Sequence, residues 1–392
     1  MKNKLLKIFC DLVKIDTRYS CDEAFLYVKN NFDYEYEIVG DTHKAMILYI
    51  PCIGEKSIFN AHKCIAFCGH LDVVECAGEW EYEPFSAEII EKNGDLRVFG
   101  RGTQDMKSGV AAYLATLKPR KNLNQIVVLI SDEESDSIST QVALAHLEKK
   151  GVKIDFCLVS EPTCDMQMGD TIKVARRGSI HAKLDIYGLE GHVAYPQKCV
   201  NAVDLLSLVL KDISGYEFDE PKSVFEPSRI VINSLSTNTH VSNIVPSEAK
   251  LRLNVRNTTF TNIKNIEDYL VKVLGNSGLK RDDSKTPKTY TLELWQTSKP
   301  FLSSPSEYIS KLSSCVEKLT GIKPEQNAKG GTSDARFFAE YGINTCEFGI
   351  VNDLIHKVNE SASFDEVYTL ALVIDEFLNE IDASNVTCCD NI

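Results

Sequence analysis

The chain has 392 residues, of which 43% are hydrophobic and 25% charged, and its formal net charge is −13. This length exceeds what one hydrophobic core usually serves, so we expect two domains of ordinary globular composition. The negative charge argues against a nucleic-acid partner, because phosphate backbones require a basic surface.

The N-terminal stretch, MKNKLLKIFCDLVKIDTRYS, predicts an amphipathic helix and not a secretory signal, since charges interrupt its apolar residues. No apolar run approaches the roughly 20 residues of a membrane span. Without an export signal, the 13 cysteines are expected to be reduced thiols in the cytoplasm. They include no C-x-x-C pair, which argues against a zinc site built from thiolates.

Short apolar segments with polar exits predict buried strands. These segments are Cys64–Val74, Gln125–Glu134, Ile154–Pro162 and Ile343–Ile350. Helical patterns at Ser108–Leu117 and Gln141–Lys150 lie between them. Strands that alternate with helices indicate an α/β fold with a mostly parallel, doubly wound sheet.

The pattern changes at about Arg177, where SIHAKLDIYG and AKLRLNVRN alternate as half-exposed antiparallel strands do. An amphipathic helix, NAVDLLSLVLKDI, lies between them. We therefore predict an inserted α+β domain at residues 177–289, with a polar return linker, RDDSKTPKT, at its end. Residues 1–176 and 290–392 then form the catalytic domain, which resumes with a helix around Glu307–Leu319.

Ligands of open α/β sheets bind beyond the carboxyl ends of the strands, and the predicted strands carry metal-binding residue types there. The potential metal-binding residues at strand exits or in adjacent loops are His70, Asp72, Asp105, Glu133, Glu134, Glu161 and His356. Each alone has an ordinary explanation, such as a polar strand end, a helix start or a surface histidine. Their coincidence at one edge predicts a metal site, and imidazole with carboxylate suits zinc or, less specifically, manganese or cobalt.

Eight motifs extend a resemblance over nearly the whole chain: GHLDVV, GRGTQDMKSG, SDEES, SEPT, RRGSI, GHVAYP, GGTSDARF and IHKVNE, in this order. Together they resemble the dizinc aminoacylase, deacetylase and carboxypeptidase superfamily. Within it, the segments around SEPT, GHVAYP and GGTSDARF look most like the bacterial desuccinylases. The resemblance implies hydrolysis of N-succinyl-LL-2,6-diaminopimelate to succinate and LL-2,6-diaminopimelate, a step of lysine and peptidoglycan precursor synthesis.

The resemblance also implies roles for the residues at the predicted edge. His70 and Glu161 would bind one zinc, Glu134 and His356 the other, and Asp105 would bridge the two. Asp72 would hydrogen-bond the His70 ring and fix its orientation, and Glu133 would be the general base. A cis peptide bond is implied after Asp105. The resemblance assigns no role to Asp132, for which we expect a loop-capping hydrogen bond.

Further residues of the predicted insertion acquire roles through the same resemblance. His192 would donate to the developing oxyanion in the partner subunit's site, which requires a homodimer joined through the inserted domain. The substrate carboxylates would meet Arg177 and Arg256, with Asn243, Gly331 and Thr332 as neutral donors. For each arginine, an ordinary surface ion pair is the alternative.

Three departures from the desuccinylase pattern leave the acyl amino acid open. Glu75 stands where proline is usual, His181 where asparagine is usual, and SNIVP varies a turn near Asn243. The alternatives are a deacylase of another N-acyl amino acid, such as N-acetylornithine, or a dipeptidase. A non-catalytic binding module is a further alternative, although such proteins usually lack a ligand or the base.

Overall fold

A computed structural model of the chain describes residues 1–59, 61–92, 94–220 and 224–384. The end of the predicted catalytic segment, residues 385–392, lies outside these ranges. The chain divides into two compact units. The first comprises Met1–Val174, Ser303–Asn327 and the chain from Ser333 onward, and the second comprises Ala175–Leu302 and Ala328–Thr332.

The strands of the described residues are numbered in chain order. They are β1 Glu35–Val39, β2 Ala45–Ile50, β3 Lys63–His70, β4 Glu88–Lys92, β5 Asp95–Phe99, β6 Leu123–Ile130, β7 Phe156–Val159, β8 Thr171–Lys173, β9 Ala175–Arg176, β10 Ser179–Tyr187, β11 Gly191–His192, β12 Arg229–Thr237, β13 Ile244–Val245, β14 Glu248–Arg256, β15 Lys280–Arg281, β16 Thr289–Ser298, β17 Phe301–Leu302, β18 Glu325–Asn327, β19 Thr345–Glu347 and β20 Ser361–Ser363.

The helices are numbered in the same way. They are α1 Lys2–Val13, α2 Asp22–Asn31, α3 Lys107–Thr116, α4 Ile138–Lys149, α5 Ala202–Ile213, α6 Ile263–Asn276, α7 Glu307–Thr320, α8 Ala335–Glu340 and α9 Phe364–Ser384. The helix predicted at the N-terminus is α1, and those predicted within the first unit are α3, α4 and α7. Within the described residues, no helix has both the length and the apolar character needed to cross a membrane.

The first unit is built on an eight-stranded sheet in the order β1-β2-β6-β3-β7-β19-β8-β18. The four strands predicted from the sequence are β3, β6, β7 and β19, which lie side by side and pair in parallel. Antiparallel β1 and β2 extend one edge. The α/β fold with a mostly parallel central sheet is therefore confirmed. Continuous burial explains the uniform apolar sequences of these strands, since both faces of a central parallel strand are covered.

Helices of the first unit pack in groups around this sheet. α3 contacts α1, α9 and β3, and α7 packs on α9, whereas α4 contacts β2, β6 and α8. Every residue of α3 is buried, so this helix has no polar stripe. Alanines and a glycine among its residues allow close approach to the neighbouring segments.

The second unit contains a five-stranded sheet in the order β12-β14-β10-β16-β15. Its central strands alternate buried with exposed residues, as predicted for an antiparallel sheet with one covered face. α5 and α6 supply the cover, and Leu206, Val209 and Leu270 join the strand residues Leu184 and Leu251 in one core. Asn262 begins α6 with a capping box, because its side chain accepts from Asn265 N while Asn265 returns the bond.

The second unit continues beyond residue 289, the predicted end of the insertion. β16 pairs with β10 over its whole length, so the polar segment 281–289 leads into a further strand of the same sheet. The alternating residues Tyr290, Leu292 and Leu294 face the core of this unit. Proline and charged residues before β16 mark a turn here, and the return to the first unit follows β17.

Gly109, in α3, lies against the exit of β7. A Cβ added at Gly109 would lie 2.3 Å from the carbonyl oxygen of Ser160, far inside a van der Waals contact. Only a residue without a side chain allows this approach. The helix and the strand exit are thus held in close contact by backbone atoms.

Replacing Gly109 by alanine is expected to lower the free energy of unfolding by about 1–3 kcal/mol, because the new methyl group forces the backbone apart. Gly275, in α6, is the matched control, since a Cβ there would meet no heavy atom within 4 Å. Gly275→Ala should be neutral or stabilising by up to about 1 kcal/mol. Urea denaturation of the metal-free variants measures both, and equal effects would contradict the close packing at Gly109.

Candidate metal centre

Three parallel strands bring the predicted residues to one edge of the large sheet. His70 is the last residue of β3, Glu133 and Glu134 follow the end of β6, and Glu161 follows the end of β7. Because the strands are parallel, these exits meet at the carboxyl edge. The fourth strand, β19, leads after a loop to His356.

Two groups of potential metal ligands form at this edge, and both include Asp105. In the first, His70 Nε2 lies 2.9 Å from Asp105 Oδ1 and 3.8 Å from Glu161 Oε1. In the second, His356 Nε2 lies 2.9 Å from Glu134 Oε1 and 3.3 Å from Asp105 Oδ2. Asp105 therefore offers one carboxylate oxygen to each group, which is the arrangement that a bridging ligand of two metal ions requires.

The His70 ring contacts Asp72 through a main-chain atom more closely than through the carboxylate. His70 Nδ1 lies 2.9 Å from the carbonyl oxygen of Asp72, whereas the Asp72 carboxylate is 3.7 Å away. The carboxylate instead accepts the backbone N–H groups of Glu133, at 3.2 Å, and Glu134, at 2.9 Å. The Asp72 carboxylate thus supplies acceptors for two backbone N–H groups of the loop after β6. Asp72 thus holds the loop that carries both glutamates.

Glu161 is held in place by close backbone packing. A Cβ added at Gly349 would lie 2.2 Å from the carbonyl oxygen of Glu161, and Gly109 touches the preceding residue from α3. The main chain at Glu161 therefore runs between two residues that lack side chains. The Glu161 side chain itself is 10% exposed and points among the other acids of the edge.

The loop of His356 has an unusual backbone. His356 adopts φ +60° and Asn359 φ +61°, in the left-handed region that non-glycine residues seldom occupy. The peptide bond between Asp105 and Met106 is cis, as the resemblance implied. Non-glycine residues in the left-handed region cluster at functional sites, where surrounding contacts determine the conformation.

The protonation of the two histidines follows from the acids around them. Hydrogen bonds with Asp105 and Glu134 raise the pKa of His356 to about 10. Burial opposes the charged form of His70, but Asp105 and Glu161 outweigh it and raise the pKa of this ring well above its usual value. In the same way, burial works against ionisation of Asp105, yet its two histidine partners hold the pKa of the carboxyl below its usual value. The cluster therefore attracts positive charge.

Burial and neighbouring acids disfavour the ionised forms of Glu161 and Glu133. Burial, followed by the charge of Asp105, raises the pKa of Glu161 well above its usual value. Burial likewise raises the pKa of Glu133, with Asp334 and Asp105 adding to the shift. A bound dication reverses this effect, because it stabilises the ionised carboxylates. The two ligand groups together offer two imidazoles and three carboxylates, a donor set that fits a pair of divalent metal ions.

The other predicted site residues lie in the second unit. His192 is exposed, and its Nδ1 accepts the N–H of Ala194 at 3.1 Å. Arg177 donates to Glu226 at 2.9 Å, which is the surface ion pair considered as its alternative. Arg256 ends β14 and Asn243 precedes β13, and both are exposed. Gly331 and Thr332 belong to the short segment Ala328–Thr332, which is part of this unit. The Gly331 carbonyl accepts a hydrogen bond from the Arg176 side chain.

Asp132 has a defined structural role. Its carboxylate accepts the backbone N–H groups of Ile138 and Ser139, both at 3.0 Å, and so caps the start of α4. The loop-capping hydrogen bond expected of Asp132 is thus confirmed. His43 Nδ1 lies 2.6 Å from the same carboxylate, a contact that the sequence does not indicate because the two residues are distant in the chain.

Sequence reasoning overlooked Glu360, which is fully buried and accepts hydrogen bonds from the chain around Asp105. The available signal was its position four residues after His356, in the motif IHKVNE. A glutamate in an exposed loop is the commonest explanation of such a residue, and only the folded chain shows what it contacts.

Comparison with known proteins places the chain in a family. The model of peptidase family M20/M25/M40 matches residues 66–380. The chain is 42% identical to succinyl-diaminopimelate desuccinylase of Wolinella succinogenes over 346 residues, which are 87% of this chain and 89% of that protein. It is 35% identical to the enzyme of the same name from Sulfurimonas denitrificans, over 96% of this chain and 99% of that protein.

Solved structures with the same fold are more distant in sequence. A tripeptidase from Staphylococcus aureus superimposes with a TM-score of 0.75 at 18% identity, covering 98% of this chain and 99% of that one. A dinuclear metal-binding peptidase of the same family from Bacillus subtilis gives a TM-score of 0.63 at 12% identity, covering 96% and 97%. At these identities the likeness concerns the fold alone.

The family expected from the motifs is thereby confirmed, and so is a hydrolase with a candidate site for two metal ions. The chain belongs to peptidase family M20/M25/M40 and, within it, to the succinyl-diaminopimelate desuccinylases.

Proposed function

We propose that the chain hydrolyses the amide bond of N-succinyl-LL-2,6-diaminopimelate, releasing succinate and LL-2,6-diaminopimelate. The sharing of Asp105 between two ligand groups carries this proposal, because such a pair suits metal-assisted amide hydrolysis. Relatives that are 35–42% identical bear the desuccinylase name, which favours this substrate over N-acetylornithine or a dipeptide.

The proposed metal ions are two Zn²⁺ per subunit, for which Co²⁺ or Mn²⁺ can substitute. Imidazole with carboxylate is a common zinc ligand set, and catalytic zinc sites keep a position open for water or substrate. We assign His70 and Glu161 to one ion, Glu134 and His356 to the other, and Asp105 to both. Bound there, the ions would polarise the substrate carbonyl and lower the pKa of a water held between them.

Glu133 is the proposed general base. Its neighbour Glu134 contacts His356, whereas Glu133 belongs to neither ligand group. Asp72 holds the backbone of both residues, so the two side chains leave one loop in fixed positions. Glu133 would take a proton from the attacking water and return it to the nitrogen of the leaving amine.

Glu133→Gln and Glu134→Gln form a matched pair, because they exchange the same groups on adjacent residues. Glu133→Gln should keep two Zn²⁺ per chain and lower turnover about 10²–10⁴-fold, the usual contribution of a general base. Glu134→Gln should weaken Zn²⁺ binding, because it removes a ligand. Metal analysis after dialysis, with turnover at saturating Zn²⁺, measures both. Normal turnover by Glu133→Gln would refute the assigned role.

The substrate has carboxylates at both ends, and we assign the second unit to their recognition. Arg177 and Arg256 would bind them, with Asn243, Gly331 and Thr332 donating neutral hydrogen bonds. Arginine suits this task because its planar fork matches a carboxylate with two parallel hydrogen bonds. Arg177 would exchange its partner Glu226 for the substrate, which is a small loss at an exposed ion pair.

Turnover of three substrates tests the proposed specificity: N-succinyl-LL-2,6-diaminopimelate, N-acetylornithine and a dipeptide. The succinyl substrate should give the highest kcat/KM, and bound metal should be measured on the same preparation. A chelator should abolish activity and Zn²⁺ should restore it. Preference for N-acetylornithine would overturn the substrate assignment, whereas activity of the metal-free protein would overturn the metal assignment.

We further propose that the second unit is a dimerisation and lid domain that joins two copies of the chain. Exposed apolar side chains support this assignment. They include Tyr195, Leu208, Val231 and Leu235, which are 49–58% exposed. β12 is also the edge strand of the sheet, and such an edge offers unpaired hydrogen-bonding groups to another chain.

His192 would complete the site of the partner subunit by donating to the developing oxyanion. His192 is the last residue of β11, shortly before a Tyr-Pro turn, and it is exposed, so it is accessible to a second chain. We place the enzyme in the cytoplasm, and the free cysteines of the described residues, most of them buried, favour a reducing compartment.

The variant His192→Ala should form a dimer like the wild type, and its kcat should fall about 10²–10³-fold, as on removal of an oxyanion donor. Sedimentation measures assembly and a turnover assay measures kcat. An intact dimer with near-normal kcat would remove this role from His192, and a monomeric wild type with full activity would remove the dimer requirement.

A further inference from the structure

Glu360 is a buried carboxylate for which the proposed mechanism has no use. It is 0% exposed, and N–H donors surround both of its oxygens. Oε1 accepts from Gln104 N at 2.7 Å and from Asp105 N at 3.2 Å. Oε2 accepts from Gly102 N at 3.0 Å and from Arg101 Nη1 at 2.8 Å.

These contacts hold the main chain that leads into Asp105. Three backbone N–H donors of the loop, at residues 102, 104 and 105, converge on one carboxylate. The backbone of Asp105 is therefore directly hydrogen-bonded to the Glu360 side chain. The main chain of Glu360 adds a further bond, since its carbonyl accepts Gly100 N at 2.9 Å.

Glu360 also belongs to the loop of His356, which shares the second ligand group with Asp105. It follows His356 by four residues and directly precedes β20, which pairs with β5 before the Asp105 loop. A single side chain thus connects the loops of two ligands.

Arg101 extends the connection to a third loop. Its guanidinium donates to Glu360, to the carbonyl of Lys357 at 3.2 Å and to the carbonyl of Glu75 at 3.1 Å. Glu75 lies on the chain just after His70 and Asp72. The side chains of Arg101 and Glu360 are only 3% and 1% exposed, so the pair is closed to solvent.

The left-handed backbone conformation of His356 requires surrounding contacts that hold its loop in place. A non-glycine residue keeps φ +60° only when the surrounding structure holds it there. Asn359 is also left-handed, and its side-chain oxygen accepts a hydrogen bond from Glu81 N at 2.7 Å. The next residue along the chain is Glu360. The loop is therefore fixed at its far end by the buried carboxylate.

We propose that Glu360 is a positioning residue of the metal centre, whose carboxylate sets the distance between the ligands Asp105 and His356. This inference rests on the proposed function, because it presupposes that these two residues bind metal. A merely structural role would predict lower stability with unchanged metal affinity. A positioning role predicts weaker binding of metal by a chain that is still folded.

Glu360→Gln tests the inference directly. Each carboxylate oxygen faces two N–H donors, so the amide NH₂ of glutamine would meet donors whichever way it turns. We expect the affinity for Zn²⁺, measured by competition with a chromogenic chelator, to fall about 10–100-fold, as for other groups that orient metal ligands. Glu360→Asp keeps both oxygens on a shorter side chain, and it should bind Zn²⁺ with intermediate affinity.

Asp375→Asn is the matched control. Asp375 also pairs with a buried arginine of the first unit, at 2.8 Å from Arg120 Nη2. Its other ion-pair partner among the described residues is Lys118, and neither partner belongs to a ligand loop. This variant should melt at a lower temperature and bind Zn²⁺ as the wild type does. Thermal unfolding of the metal-free proteins separates stability from affinity in all three variants.

Wild-type affinity for Zn²⁺ in Glu360→Gln would overturn the positioning role. If Glu360→Gln does not fold, Glu360→Asp decides, and wild-type affinity in that variant overturns the role equally. A fall in affinity shared by Asp375→Asn would also overturn it, since any loss of stability would then have the same effect. Failure of the wild type to bind Zn²⁺ would instead overturn the proposed function.

Discussion

The carboxylate of Asp105 lies between two histidines, one on each side, and this arrangement organises the whole catalytic edge. His70 contacts one oxygen and His356 lies near the other, so two ligand groups form around a single side chain. The surrounding acids raise the pKa values of both histidines, because a protonated imidazole supplies the positive charge that balances the carboxylates. The crowded acids, costly in an ordinary protein interior, become favourable ligands once dications bind.

The edge is built from loops that come from distant parts of the chain, and backbone contacts hold them together. The Asp72 carboxylate binds the N–H groups of Glu133 and Glu134, glycines on two sides enclose Glu161, and Glu360 binds the loop of Asp105. The contacts of Asp72 and Glu360 satisfy backbone N–H groups that burial would otherwise leave unpaired. The same contacts therefore stabilise the fold and place the ligands.

The two units carry different sets of the predicted site residues. All of the grouped ligands belong to the first unit, whose parallel strands end together, whereas the arginines assigned to the substrate belong to the second. Glu75 and His181, where this chain departs from other desuccinylases, belong to neither ligand group, so we expect them to affect specificity more than the hydrolytic step.

The sequence alone determined the four central strands, the edge at which they deliver polar residues, the family and the hydrolytic chemistry. Strand and helix periodicity are local, and motifs in a fixed order are visible without coordinates. Tertiary structure alone decided that β16 completes the second sheet, that Asp72 binds backbone N–H groups, and that Glu360 supports Asp105. These features depend on hydrogen bonds between residues far apart in the chain, whose partners are set by the path of the loops in space and by no pattern within a segment.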